Sequence, residues 1–166
     1  MHKITKKVEP ESVARVFRYG ITFHKGGKNM QKQKKVSKLE IEKVISHCPN
    51  WLRPVVEFAY GTGMRLGIIV MLKWCNVDFQ KGCICITPEM TMSGKSSEVK
   101  LNKSTLRVLE KLSRDKESDY IFCDRKKHSL NLVTVHRAFQ RVIKKADLAG
   151  IVFYSLRNTA RGKRNK

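Results

Sequence analysis

The stretch of sequence that decides the fold is Tyr60-Gly61-Thr62-Gly63-Met64-Arg65-Leu66-Gly67. Apolar residues at helical spacing precede it, and Pro54 is tolerated in the first turn of a helix predicted over 51–60. The glycines interrupt this helix, and the hydrophobic pattern restarts over 65–73. An arginine at a helix start after glycines can project its planar guanidinium into a groove.

The pattern on either side of this stretch predicts a mainly helical α+β domain with a small antiparallel sheet. Ser37 and Glu40 have the spacing of a capping box, which marks the first helix. At Cys83 the hydrophobic period changes from helical to β-strand, and an alternating strand returns at Glu98. Helices are expected at 39–47, 51–60, 65–73, 104–113 and 132–146, with a hairpin near 83–101.

Positive charge is the strongest compositional signal. The 166 residues include 35 Lys+Arg and 14 Asp+Glu, a formal net charge of +21. Such a surface predicts a polyanionic partner, and nucleic acid releases counterions when its phosphates are neutralised. The charge fits double-stranded DNA, RNA or a ribosome equally well. No apolar run approaches the roughly 20 residues of a membrane span, so we expect a cytoplasmic protein with no membrane partner.

The chain divides into three parts by composition. Residues 1–35 form a basic N-terminal arm or linker, residues 36–160 form the folded domain, and residues 161–166 form a basic tail. The arm is expected either to contact DNA or to be a solvated linker. No internal repeat is visible.

The cysteines predict neither disulfides nor a metal site. There are five of them, an odd number, and no pair has the CxxC spacing of a zinc ligand. Cys83 and Cys85 lie two residues apart in a predicted strand, which places both on one face. Buried free thiols in a reducing compartment are therefore expected. No metal and no cofactor is predicted.

Four blocks of sequence, in order, resemble the catalytic domain of the tyrosine recombinases of the phage integrase type. The run from Phe58 to Phe79 resembles the family's first motif, Thr-Gly-Met/Leu-Arg followed by Leu-Lys-Trp and an Asp-hydrophobic pair. The other three blocks are the hairpin at Thr91–Leu101, the helix at Val133–Leu148 and the run Phe153–Ala160, which resembles His-x-Leu-Arg-His-Thr. The resemblance covers about Val36 to Ala160.

This resemblance implies a function in DNA integration and site-specific recombination, as in mobile elements. Members of the family cleave DNA without metal, through a tyrosine that attacks a phosphate and two arginines that clamp its oxygens. Arg65 matches the first arginine and Arg157 matches the second. Lys95, in the hairpin, is expected to contact a DNA phosphate.

Several positions depart from the family's pattern. The acidic residue that follows the first motif is Ile68 here, the hairpin lysine is Met92, and the histidine is Tyr154. The histidine after the second arginine is Asn158. The chain ends at Lys166, before the segment that carries the nucleophilic tyrosine in the family. The resemblance therefore implies a C-terminally truncated, DNA-binding recombinase domain that is inactive alone.

Two alternatives stay open at this point. The chain could be a working fragment that pairs with full-length recombinase protomers, whose tail supplies the tyrosine. It could instead be a basic RNA- or ribosome-associated module, which predicts exposed aromatic residues for base stacking. The aromatic residues here mostly fall on apolar faces. Tyr154, at the family's histidine position, is expected to have a packing or phosphate-hydrogen-bonding role.

Overall fold

The computed structural model describes residues 34–91, 93–113 and 118–164, with side chains to residue 162. It has six α-helices in these ranges: α1 Lys38–His47, α2 Arg53–Thr62, α3 Leu66–Met71, α4 Lys103–Ser113, α5 Leu132–Lys145 and α6 Phe153–Arg164. Its strands are β1 Val77–Asp78, β2 Cys83–Ile86 and β3 Ser97–Lys100, and two short 3-10 helices are Trp74–Asn76 and Pro88–Met90. The architecture is α+β, which confirms the predicted fold class.

Local sequence signals explain where the first two helices begin and end. The Ser37 hydroxyl accepts a hydrogen bond from the Glu40 backbone N–H (3.2 Å), and the Glu40 carboxylate accepts one from the Ser37 N–H (2.9 Å). This capping box satisfies two amides that a helix leaves unpaired. Helix α2 has Pro54 in its first turn and ends at Gly63, whose φ of 65° is left-handed.

The three strands pair in the order β1-β2-β3, all antiparallel. Val77 lies opposite Ile84, and Ile84 opposite Val99, so these three side chains share one face of the sheet. That face packs against the hydrophobic core. The predicted hairpin is confirmed, with strands at each end of the predicted range.

Helix α2 is the centre of the core and packs against α4 and α6. Phe58 of α2 is fully buried and meets Phe122 edge-on, with ring centroids 5.3 Å apart. Close approach of α2 to α4 requires a glycine, because a Cβ at Gly61 would collide with the hydroxyl of Thr105. The backbone of α2 therefore fits directly onto the start of α4.

Helix α6 was not predicted from the sequence. It runs from Phe153 to Arg164, so residues 161–164, assigned above to a basic tail, continue a helix. Ser155, Asn158 and Thr159 are weak helix formers that obscure the pattern. Tertiary contacts override this preference: the Thr159 hydroxyl accepts a hydrogen bond from the Val36 N–H at 2.8 Å, and Leu156 is fully buried.

The predicted arm at 1–35 lies outside the described residues except for Lys34 and Lys35. Lys34 pairs with Glu40 of the first turn of α1 at 2.6 Å. Among the described residues, no helix is long and apolar enough to cross a membrane.

Candidate functional site

Arg65 stands at the turn between α2 and α3. Its backbone is extended (φ −70°, ψ 139°), and its carbonyl accepts hydrogen bonds from the N–H groups of Ile68 and Ile69 at 2.9 and 3.0 Å. The turn is held by the buried Thr62 hydroxyl, which donates to the Phe58 carbonyl at 2.8 Å. A rigid backbone therefore carries an exposed arginine side chain at the start of α3.

Arg157 reaches the same turn from α6, 92 residues further along the chain. Its Nη1 donates a hydrogen bond to the carbonyl oxygen of Gly63 at 2.6 Å. The side chain is partly buried, and its Nε is fully buried without a hydrogen-bond partner among the described residues. A buried donor of this kind costs free energy unless a ligand or water completes it.

The charge of Arg65 acts on Arg157. Burial lowers the pKa of Arg157, and the positive charge of Arg65 lowers it further. A hydrogen bond with the Tyr154 side chain acts in the opposite direction. The guanidinium stays protonated, since arginine does not lose its proton in proteins. The two like charges therefore repel each other across a partly desolvated turn. An anion bound between them would reduce this repulsion.

Tyr154 lies one helical turn before Arg157 on α6, at the position predicted from the family's histidine. It is 47% exposed. Its contact with Arg157 supports a polar role rather than packing. Arg161, one turn after Arg157, also lowers the pKa of Arg157 and so adds to the same positive surface. The sequence analysis missed Arg161 because it lay in the supposed tail; the four-residue spacing on a helix was the available signal.

The other candidate positions, Lys95, Met92 and Ile68, have surroundings different from those of Arg65, Arg157 and Tyr154. Lys95 is exposed beside the hairpin turn, where its carbonyl accepts a hydrogen bond from the Thr91 hydroxyl at 3.1 Å. It is not among the charged groups that shift the pKa of Arg157. Met92 lies outside the described residues. Ile68 is a core residue and is 9% exposed.

Two other tyrosines lie among the described residues, Tyr60 and Tyr120, and both are partly buried. Tyr60 is half-buried against the core. Tyr120 is half-buried under the Lys73 ammonium, which lies 5.2 Å from the ring centroid.

The fold defines the class of protein, because solved structures that share it are tyrosine recombinases. The chain resembles XerA recombinase with a TM-score of 0.64 and 25% identity, covering 79% of this chain and 51% of that one. It resembles a lambda integrase tetramer bound to a Holliday junction with a TM-score of 0.70 and 22% identity, covering 84% of this chain and 44% of that one.

Residues 34–162 match the model of the phage integrase family, and the chain belongs to that family. A stretch of 72 residues is 39% identical to the integrase of Salmonella phage P22, which is 43% of this chain and 19% of that protein. The chain thus spans about a fifth of the P22 integrase and about half of the XerA chain. These relatives are all recombinases or integrases, and they give no support to the RNA- or ribosome-module hypothesis.

Proposed function

We propose that this chain is the DNA-binding catalytic-type domain of a tyrosine recombinase, in which Arg65 and Arg157 bind the same backbone phosphate. The observation that carries the proposal is the position of Arg157. It is partly buried beside the like charge of Arg65, with one N–H that has no partner among the described residues. Such an arrangement lowers the stability of the fold, and binding of an anionic ligand offsets that loss.

A phosphate diester fits this site better than other anions. It offers two non-bridging oxygens to two guanidinium groups, and planar guanidinium groups donate paired hydrogen bonds to such oxygens. Gly63 fixes the orientation of Arg157 through its carbonyl. The Tyr154 side chain, one turn earlier on α6, hydrogen-bonds with Arg157 and is proposed as a third contact to the same phosphate.

Double-stranded DNA and other recombinase protomers are the proposed partners. The lambda integrase relative is described as a tetramer bound to a Holliday junction. The formal charge of +21 gives this chain the same preference for a polyanion. Lys95, exposed near the hairpin turn, is proposed as a further phosphate contact.

We propose that residues 1–166 bind DNA without cleaving it. The family's acid is replaced by the core residue Ile68, its lysine by Met92 and its histidine by Tyr154. Neither the Ile68 nor the Met92 side chain can donate a proton or carry a charge. Two arginines can polarise a phosphate, but departure of the 5′ oxygen needs a proton donor.

The test is equilibrium binding of a fluorescent DNA duplex to wild-type, Arg65→Ala and Arg157→Ala chains. Each substitution should weaken binding modestly, about three- to tenfold, because it removes one cation among the several that hold the DNA backbone. Arg53→Ala is the matched control: it lies at the other end of α2, about 15 Å along the helix from Gly63. Wild-type affinity in both site variants, or equal weakening in the control, would refute the phosphate site.

A further inference from the structure

A second cluster of reactive side chains lies on the outer face of the sheet. Cys85 of β2 lies directly opposite Glu98 of β3, and Cys83 is two residues away on the same strand. Residues opposite each other or two apart in a sheet share a face. The two Sγ atoms and a carboxylate oxygen of Glu98 all lie within 4.8 Å of one another.

This face is not the one that packs on the core. Ile84 and Ile86 point to the core from the alternate positions of β2. Cys83 is only 2% exposed, yet it does not belong to the core cluster. Strand alternation places Cys83 and Cys85 on the opposite face of β2 from Ile84, and Cys83 is buried there.

Two carboxylates lie beside these thiols. Asp78 of β1 lies opposite Cys83, so a second carboxylate joins the same face. Burial raises the pKa of the Cys83 thiol, and Glu98, Cys85 and Asp78 raise it further. Cations also accompany this group: Lys100, opposite Cys83 on β3, is exposed, and the Lys81 ammonium lies 3.9 Å from the Asp78 carboxylate.

We propose that Cys83, Cys85 and Glu98 form a binding site for a thiophilic divalent cation of the Zn²⁺ class. Two thiolates and a carboxylate are ligands that Zn²⁺ accepts in tetrahedral sites, with water in the fourth position. Zinc–sulfur bonds of about 2.3 Å separate two sulfurs by about 3.8 Å in a tetrahedron. Atoms already within 4.8 Å of one another therefore need to move by about 1 Å at most.

A metal explains the geometry better than a disulfide does. Residues two apart in a strand are separated by about 6.6 Å between Cα atoms, at the upper limit for a disulfide, and their side chains run parallel. Both cysteines are free thiols in this structure. A metal ion bridges parallel side chains without bending the strand, and Glu98 extends the link to β3.

A metal ion bound at this site would link β2 to β3. The sheet is small, and β3 is an exposed four-residue strand. A shared ion would hold it to β2 and limit fraying of the hairpin that carries Lys95. This proposal does not depend on DNA binding, because the arginine pair lies on other elements.

The experiment is a titration of the reduced, metal-free 166-residue protein with Cd²⁺, which forms an ultraviolet charge-transfer band with thiolates. One equivalent of Cd²⁺ should saturate the band, and Zn²⁺ should compete for the same site. Cys85→Ser and Cys83→Ser should each weaken Cd²⁺ binding more than about tenfold, since even outer-shell changes cost that much. Glu98→Gln should weaken it while leaving both thiolates in place.

Cys75→Ser is the matched control, because Cys75 is an exposed free thiol outside the cluster. It should leave the affinity and stoichiometry unchanged. Cys83 is buried, so if Cys83→Ser does not fold, the partly exposed Cys85 and the exposed Glu98 provide the test. Hydrogen exchange of the β3 amides should slow on metal binding. No saturable band, or a band that survives Cys85→Ser unchanged, would overturn the site.

Discussion

Arg157 donates a 2.6 Å hydrogen bond to the carbonyl oxygen of Gly63, two residues before Arg65. One bond thus joins α6 to the turn that presents the other arginine. It orients a guanidinium whose Nε is buried and without a partner among the described residues. The proposed phosphate binding favours an arginine at this position, whereas folding stability is lowered by its unpaired buried N–H, and a substitution can separate the two effects.

Arg157→Met should leave the unfolding free energy within about 1 kcal/mol of wild type while weakening DNA binding. The variant loses the bond to Gly63, but it also removes an unpaired buried N–H and the repulsion from Arg65. Urea unfolding gives the stability, and duplex binding gives the affinity. Arg53→Met is the control for loss of charge. Destabilisation by about 3 kcal/mol would show that Arg157 is chiefly structural.

Gly61→Ala should destabilise the fold by about 1–3 kcal/mol, because its new Cβ collides with the Thr105 hydroxyl and forces α2 away from α4. Thr105 cannot move freely, since it is buried and donates to the Asn102 side chain at 2.9 Å. Gly67→Ala in α3 meets nothing within 4 Å. It should be neutral or stabilise by up to about 1 kcal/mol. Thermal unfolding measures the stability of both variants, and equal changes in stability for Gly61→Ala and Gly67→Ala would contradict the close contact between α2 and α4.

Glu40→Gln should lower stability at neutral pH by about 1 kcal/mol, because it keeps the capping box but loses the ion pair with the half-exposed Lys34. A hydrogen bond from Lys34 is the largest cause that lowers the pKa of Glu40 from 4.5 to about 2. A depressed folded-state pKa stabilises the protein above the unfolded value, and this gain is lost as pH falls from about 4.5 to about 2.

The difference between wild type and Glu40→Gln should therefore shrink over that pH range, as measured by urea unfolding at each pH. Glu42→Gln, an exposed neighbour on α1, is the control and should track the wild type. A difference that stays constant from pH 7 to pH 2 would show that the charge of Glu40 contributes nothing.

Removing residues 1–33 should flatten the plot of log DNA affinity against log salt concentration. This segment carries eight of the 35 Lys+Arg residues and two Glu. The slope becomes shallower by about 0.9 for every DNA phosphate that the shortened chain no longer neutralises. The cut spares Lys34, which pairs with Glu40. Fluorescence anisotropy at several salt concentrations gives the slopes. An unchanged slope would assign residues 1–33 to a linker that does not contact DNA.

Residues 1–166 should form no covalent adduct with a nicked suicide DNA substrate. A tyrosine hydroxyl is a weak nucleophile near neutral pH without a base, and the leaving oxygen has no lysine to protonate it at Met92. Denaturing gel electrophoresis detects an adduct directly. An adduct abolished by Tyr154→Phe would make Tyr154 a displaced nucleophile, and one abolished by Tyr60→Phe or Tyr120→Phe would equally contradict the inactive domain.

Much of the fold could be predicted because its signals are local. The capping box at Ser37, the positive-φ glycine after α2 and the change of period at Cys83 each depend on neighbours in sequence. Five helices and the hairpin were predicted within a few residues. The positions of Arg65 and Arg157 came from the order of motif blocks rather than from any contact that the sequence displays.

Helix α6 and the contacts within both candidate sites depend on tertiary structure. Helix α6 has weak helix formers at Ser155 and Thr159, and contacts from α2 and Val36 hold it in place. The depressed pKa of Arg157 and its bond to Gly63 arise from residues about 90 positions apart. Glu98 joins Cys83 and Cys85 only through the β2–β3 register. The sequence by itself determined which residues could do chemistry; packing between distant segments decided which of them meet, because contact energies between such segments depend on a geometry that no local pattern encodes.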